Sequence, residues 1–262
     1  MNVETASTPT WRQPRWVVGH LVCLTLIVTF VNLGLWQLHR LQERREHNEL
    51  LQHRMAGATE PLDRVLQGRT DVGDAAYRRV SAEGAWLPNS TMLVRSRALD
   101  ERPGYHVLAV LVTGSDRGVV INRGFAPLGG GGEDTIRKAV APRTSRATVI
   151  GVLRPAETRG SIGPRDPATG RLTVLNRADV GRIQQQTDIR LAPGFVQLAS
   201  VTPAQGDLPT ILPLPDNSDE GPHLNYAGQW FLFATIGAVG WPFVVRRAGR
   251  SSEYEIAEDV PA

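Results

Sequence analysis

Two long runs of uncharged, apolar residues bracket the chain, and they limit what it can fold into more than any other feature. The first, Val17–Leu38, is 22 residues long, and its only ionisable groups are His20 and Cys23. At about 1.5 Å per helical residue, roughly 20 residues cross a hydrocarbon core of about 30 Å. A secretory signal has a shorter apolar stretch and a small-residue cleavage site after it. This run instead continues into Trp36-Gln37-Leu38-His39-Arg40, so it reads as a retained membrane span. The second run, Tyr226–Val245, covers 20 residues. Gly237, Gly240 and Pro242 would also suit a buried core helix. Yet Gly and Pro are commoner in membrane helices than in soluble ones, and Trp230 and Trp241 stand towards opposite ends, as interfacial anchors do.

Arginines set the orientation. Arg246, Arg247 and Arg250 follow the second run, whereas the 20 residues before it hold Asp207, Asp216, Asp219 and Glu220 and no arginine. By the positive-inside rule the C-terminus is cytoplasmic, and two spans return the N-terminus, with Arg12 and Arg15, to the same side. Arg40, Arg44 and Arg45 pull the other way, but the second span has the cleaner asymmetry and decides. The expected organisation is a cytoplasmic tail (1–16), a first transmembrane helix (17–38), a charged helical stalk (39–56), an extracytoplasmic β-rich domain with its return linker (57–222), a second transmembrane helix (226–245) and a cytoplasmic tail (246–262). The single cysteine, Cys23, lies in the first span, which excludes an internal disulfide and leaves no thiol in an oxidising compartment.

Between the spans the pattern is that of strands. Tyr77–Trp86 alternates apolar and polar residues, Thr91–Arg95 follows a Pro-Asn turn, and Tyr105–Val112 and Val119–Asn122 flank a Gly-Ser-Asp-Arg-Gly turn that predicts a hairpin. Ala147–Leu153, Leu172–Leu175 and Phe195–Leu198 complete the set, and Ala178–Thr187 has helical composition with Ala178 or Val180 facing a sheet. The fold class is therefore two transmembrane helices flanking an extracytoplasmic β-rich α+β domain, a small barrel or sandwich. Leu128–Gly132 opens a polar stretch that reads as a loop to Arg146, and Pro203–Pro222 reads as a linker.

The net charge of +3 is weak for this length, all basic residues but Lys138 are arginines, and no basic stripe or aromatic ladder occurs, so nucleic acid is not an expected partner. Gly129–Gly132 lacks the Lys-Ser/Thr of a phosphate loop, no Gly-x-Ser-x-Gly occurs, and His106 is the only histidine of the β-rich region. No histidine pair stands at i, i+4, so a metal site built from protein alone is not expected. His39 leaves the first span and His223 precedes the second, both at the outer membrane surface in this orientation. A neutral imidazole there could ligate a haem iron, with the propionates facing Arg40 or Arg44; it could equally be a hydrogen-bonded anchor.

The ends of the chain also carry motifs. Leu33-Gly34-Leu35-Trp36-Gln37-Leu38-His39-Arg40 resembles the Leu-Gly-x-Trp-Gln-x-x-Arg motif of the Surfeit locus protein 1 family, and His223-Leu224-Asn225-Tyr226-Ala227-Gly228-Gln229-Trp230-Phe231 resembles its His-Leu-x-Tyr-Ala-x-Gln-Trp-Phe signature. Tyr77-Arg78-Arg79-Val80 with Gly84, then Ile121-Asn122-Arg123-Gly124-Phe125-Ala126-Pro127, follow the family's order, with Phe125 where the family has Trp. The resemblance covers roughly Trp16 to Arg247. It implies an assembly factor, or chaperone, for the haem-copper cytochrome c oxidase of the respiratory chain, in the cell (plasma) membrane, acting as haem a enters the catalytic subunit. It implies His223 as the metal-binding and cofactor-binding residue in a transient haem a site; Tyr226, Gln229 and Trp230 match the same motif, for haem packing or for helix contact with the oxidase, and His39 and Arg40 join the candidate site from their place at the membrane edge. The implied partners are the oxidase catalytic subunit, the lipid bilayer and haem a synthase as the source of the cofactor. Three readings follow: a haem-insertion chaperone, an accessory protein that stabilises oxidase subunits without a cofactor, and an extracytoplasmic enzyme. The absence of nucleophile and metal motifs disfavours the third, so no enzymatic activity is expected.

Overall fold

The computed structural model describes residues 14–215 and 219–258. Arg12, Asp216, the side chain of Arg250 and the outer parts of both tails, used above to argue orientation, lie outside the described residues. In chain order the elements are α1 (Pro14–Ala56), β1 (Glu60–Pro61), α2 (Leu62–Val65), β2 (Arg79–Trp86), β3 (Met92–Leu99), β4 (Arg102–Val112), β5 (Arg117–Pro127), α3 (Gly132–Ala139), β6 (Arg146–Pro155), β7 (Val174–Leu175), α4 (Val180–Gln184), β8 (Arg190–Thr202) and α5 (His223–Glu258). They form two units: one runs up to Asn48 and resumes at Ser218, the other is Glu49–Asn217.

In the β unit, eight strands form one mixed sheet in the order β1-β2-β6-β8-β5-β4-β3-β7, and β2 also pairs with β4. That extra pairing, Ala85 opposite Val112 and Trp86 opposite Leu111, closes β2, β6, β8, β5 and β4 into a five-stranded ring. Closure removes the free edges that a sheet must otherwise protect. Alternate residues then point into the ring: Val80 and Ala82, Ala109 and Leu111, Val119 and Ile121, Ala147 and Val149, and Val196 and Leu198 form one buried cluster. Each fully buried leucine or isoleucine there contributes roughly 1.5–3 kcal/mol relative to exposure. The opposite phase of the same strands (Leu108, Val110, Val120, Phe195) packs under α4 through Val180 and Ile183, with Ala178 in the same cluster. The Asp179 carboxylate caps α4 by accepting from the Arg182 amide at 3.0 Å. The hairpin predicted across Gly114–Gly118 is present, with the Thr113 amide donating to the Arg117 carbonyl at 2.9 Å.

One expectation is corrected. The stretch after Leu128 is not a loop throughout: α3 occupies Gly132–Ala139. Glu133 and Asp134 in its first turn and Arg137 and Lys138 in its last suit the helix dipole, and Ile136 packs with Val140 against Leu93, Tyr105 and Val107. The glycines ahead of it and Pro142 behind it masked that short amphipathic signal. The segment expected as a mere linker is also ordered against the sheet. Thr210 exchanges two backbone hydrogen bonds with Phe125 (2.7 and 2.8 Å), and the Gln197 side-chain amide donates to the Pro213 carbonyl at 2.7 Å.

The other unit is a helix pair. Both α1 and the His223–Ala248 part of α5 are long and apolar enough to cross a membrane, and only 6% of each apolar window is buried. A core helix of a soluble protein would have that window covered. The helix of α1 continues without a break through the charged residues after Leu38, as its lack of Gly and Pro predicts.

Candidate functional site

Residues on α1 at alternating three- and four-residue spacing (His20, Cys23, Ile27, Phe30, Gly34, Gln37, Leu41) form one seam, and His223, Ala227, Trp230, Ala234, Gly237 and Trp241 form the matching seam of α5. That is the 3.5-residue repeat of two antiparallel helices that meet along one face. The pairing is specific. Phe30 stacks on Trp230 with centroids 5.6 Å apart, and the Trp241 indole N–H donates to Nδ1 of His20 at 2.6 Å. Trp230 and Trp241, read from sequence as interfacial anchors, thus face the seam. A Cβ on Gly34 would lie 2.7 Å from the Phe231 ring, so the helices touch closely there. Of the α5 glycines, Gly237 packs on Ile27, while Gly228 and Gly240 face open space.

His223 opens α5 and is partly buried against α1, its Nδ1 2.9 Å from Oε1 of Gln37. An amide oxygen only accepts, so the ring N–H donates from Nδ1, and in the neutral ring the lone pair is then on Nε2. Nε2 is thus the atom that can take a metal or another donor. The preceding residues pin this corner. The Arg45 guanidinium grips the Glu220 carboxylate with two bonds of 2.8 and 2.7 Å. Asn48 and Arg44 donate to the Asp219 carbonyl at 3.1 and 3.4 Å, and the Asp219 carboxylate accepts from the Gly221 amide at 2.8 Å. Hydrogen bonding to Arg45 holds the Glu220 carboxyl below the usual carboxylate range.

The structure brings only some of the predicted residues together. His223 and Trp230 share the seam, Tyr226 is 48% exposed, and Gln229 is exposed. Arg40 is exposed and paired with Glu43 at 2.8 Å. His39 is exposed two residues beyond Gln37, about 200° round the helix, so the two imidazoles do not face one another. Sequence reasoning missed Gln37, Arg45, Asn48, Asp219 and Glu220. Gln37 stood in a motif, but its partner depends on the register between the two helices.

The motif residues of the β unit serve its architecture. In β5, Arg123 is the extra residue of a bulge, between Asn122 opposite Leu108 and Gly124 opposite Val107. The residue is 2% exposed, and its guanidinium donates to the Val140 carbonyl at 2.5 Å and lies 5.4 Å over the Trp86 ring. Burial lowers it to about 10, leaving it charged at neutral pH. The Asn122 side-chain oxygen Oδ1 accepts from the Gly124 amide at 3.1 Å. Arg154 lies 4.9 Å over the Tyr77 ring. His106 is a partly buried sheet residue near Asn122, and burial, followed by the neighbouring Arg97, pushes its imidazole down to about 4.

Comparison with known proteins agrees with this arrangement of motifs. The SURF1 family model matches residues 24–235, which takes in the greater part of both seams and the whole ring of strands. A protein of Mycobacterium bovis named as an uncharacterized SURF1-like protein is 27% identical over 253 residues, spanning 95% of this chain and 90% of its own. One from Mycobacterium tuberculosis gives the same values, and a SURF1-like protein of Rickettsia felis is 24% identical over 220 residues, spanning 82% of this chain and 91% of its own. With the match running from within one apolar helix to within the other, the chain belongs to the SURF1 family.

Proposed function

We propose that this chain is a membrane-anchored assembly factor for haem-copper cytochrome c oxidase that holds haem a transiently and hands it to the catalytic subunit. Family membership supports the oxidase role. The observation that carries the haem reading is the held imidazole of His223, whose Nδ1–H is engaged by Gln37 while Nε2 is left for an iron ligand. The surroundings suit a porphyrin: Leu224 and Tyr226, near His223 in sequence, are 57% and 48% exposed, and Arg40 and Arg44 are exposed on α1 as candidate partners for propionates. One ligand from His223, with His39 turned elsewhere, gives a site that can release its cargo. The protein acts by shielding and positioning the cofactor rather than by catalysis. In this reading both helices cross the plasma membrane, both termini are cytoplasmic and the β unit is outside, as Arg246 and Arg247 after the second span favour.

The test is purification from cells with and without haem a synthesis. The wild-type protein should carry a haem a absorption spectrum only in the first case, and His223→Ala and His223→Gln should both lose it and lower oxidase haem content. A colourless wild-type protein that still co-purifies with oxidase would favour the accessory, cofactor-free role. Normal oxidase haem in His223→Gln would make His223 a hydrogen-bonding anchor.

A further inference from the structure

We propose that Gln37 is the positioning residue of His223: it fixes the proton on Nδ1 and so keeps the lone pair on Nε2 for ligation. The consequence at iron rests on the haem reading above; the tautomer itself does not. The geometry is direct, with Oε1 of Gln37 2.9 Å from Nδ1 of His223 across 186 residues of sequence. Gln37 occupies a seam position of α1, so its amide is carried by a helix held against α5 by Phe30–Trp230 stacking and by the Gly34–Phe231 contact. The Asp219–Gly221 corner, tied to Arg44, Arg45 and Asn48 of the same helix, holds the chain just ahead of α5.

The other seam histidine provides an internal contrast. His20 meets the indole of Trp241 at 2.6 Å, and an indole N–H only donates. His20 therefore keeps its lone pair on Nδ1, and in the neutral ring the proton is on Nε2. Two histidines on one helix pair are thus held as opposite tautomers, each by a partner with one hydrogen-bonding sense. Ligating histidines characteristically donate their second N–H to a carbonyl or carboxylate, which sets ring orientation and raises ligand basicity. The Gln37 amide oxygen stands where that acceptor is needed.

The experiment uses the full chain in lipid bilayers, labelled with 15N-histidine and produced without haem, with resonances assigned by loss in His223→Ala and His20→Ala. Wild-type His223 should show the proton on Nδ1 and His20 the proton on Nε2. Gln37→Met, close in volume but without the acceptor, should shift His223 away from the Nδ1–H form while leaving His20 unchanged, which also shows that the seam is intact. Gln37→Glu should retain Nδ1–H. A wild-type His223 with its proton on Nε2, or one unaffected by Gln37→Met, would overturn the proposal. In a parallel titration with haem a, Gln37→Met should bind between about ten- and a hundredfold more weakly and Gln37→Glu near wild type. If the tautomers behave as stated but wild type binds no haem a, the positioning role stands and the haem reading fails.

Discussion

The β unit and the helix pair are held together by opposite means. In the β unit, backbone ladders close a ring, and a packed apolar cluster fills it, with Leu111, Ile121, Val149 and Val196 fully buried. In the helix pair only 6% of each apolar window is buried, and specificity lies in a few side-chain pairs: Gln37 with His223, His20 with Trp241, Phe30 with Trp230. Water drives apolar burial in the first. If the pair spans a membrane, as proposed above, its helices have no such drive between them and depend on close packing and hydrogen bonds. The same kind of lesion should therefore act very differently in the two units.

Gly84→Val tests this most severely. A Cβ at Gly84 would come 2.1 Å from the Val112 carbonyl, at the point where β2 and β4 close the ring, and a paired carbonyl cannot swing aside. We expect a loss above about 3 kcal/mol, seen as unprotected strands in hydrogen exchange and low protein abundance, with the helix pair still protected. Leu111→Ala, at a fully buried ring position, should cost about 2–5 kcal/mol in denaturant unfolding of the β unit. Equal loss of protection in the helices would show that the two units do not behave separately.

The titration of His106 sharpens the comparison. Its folded-state value of about 4 lies below the ordinary 6.5, so between those values the unfolded chain binds the proton more readily. The stabilisation is complete above about pH 6.5 and is lost as pH falls towards 4, by at most about 3 kcal/mol for the shift. Thermal unfolding of the β unit should lose stability across that window, and His106→Gln should flatten the dependence; an unchanged slope in the variant would assign it elsewhere.

Smaller effects belong to the helix pair. Gly34→Val places its Cβ against the Phe231 ring, a side chain that can rotate away, so a loss of about 1–2 kcal/mol in helix association is expected. Energy transfer between probes on the two helices would measure it, with the β unit's melting unchanged. Smallest is the response of the Asp219–Gly221 corner to acid. The Glu220 carboxyl is held below its ordinary 4.5 by Arg45, so the tie is complete above that value and is lost as pH falls through the lower, folded-state value. Exchange at Gly221 should rise over that range beyond the intrinsic trend, and Glu220→Gln should remove the excess.

Most strands were legible because alternation and β-branched runs are local properties: Arg79–Trp86, Arg102–Val112 and Arg146–Pro155 overlap the expected Tyr77–Trp86, Tyr105–Val112 and Ala147–Leu153. The helix α3 was not, since eight residues after a glycine run carry little periodic signal and acquire it only through the Ile136 and Val140 contacts. At the site, His223 and Trp230 were readable from a motif, but Tyr226 and Gln229 proved to be on the exposed side and His39 on another face of α1.

Composition alone determined that two segments of this protein are membrane-length helices, because the free energy of about 20 uncharged apolar residues depends on what they are and not on what they touch. It also determined that the region between them is rich in strands. Only the tertiary structure decided that the sheet closes through Ala85–Val112 and Trp86–Leu111, and that Gln37 meets His223. Those contacts depend on register between segments far apart in the chain. A shift of one residue in a strand or on a helix face would exchange every partner while leaving composition and periodicity as they are.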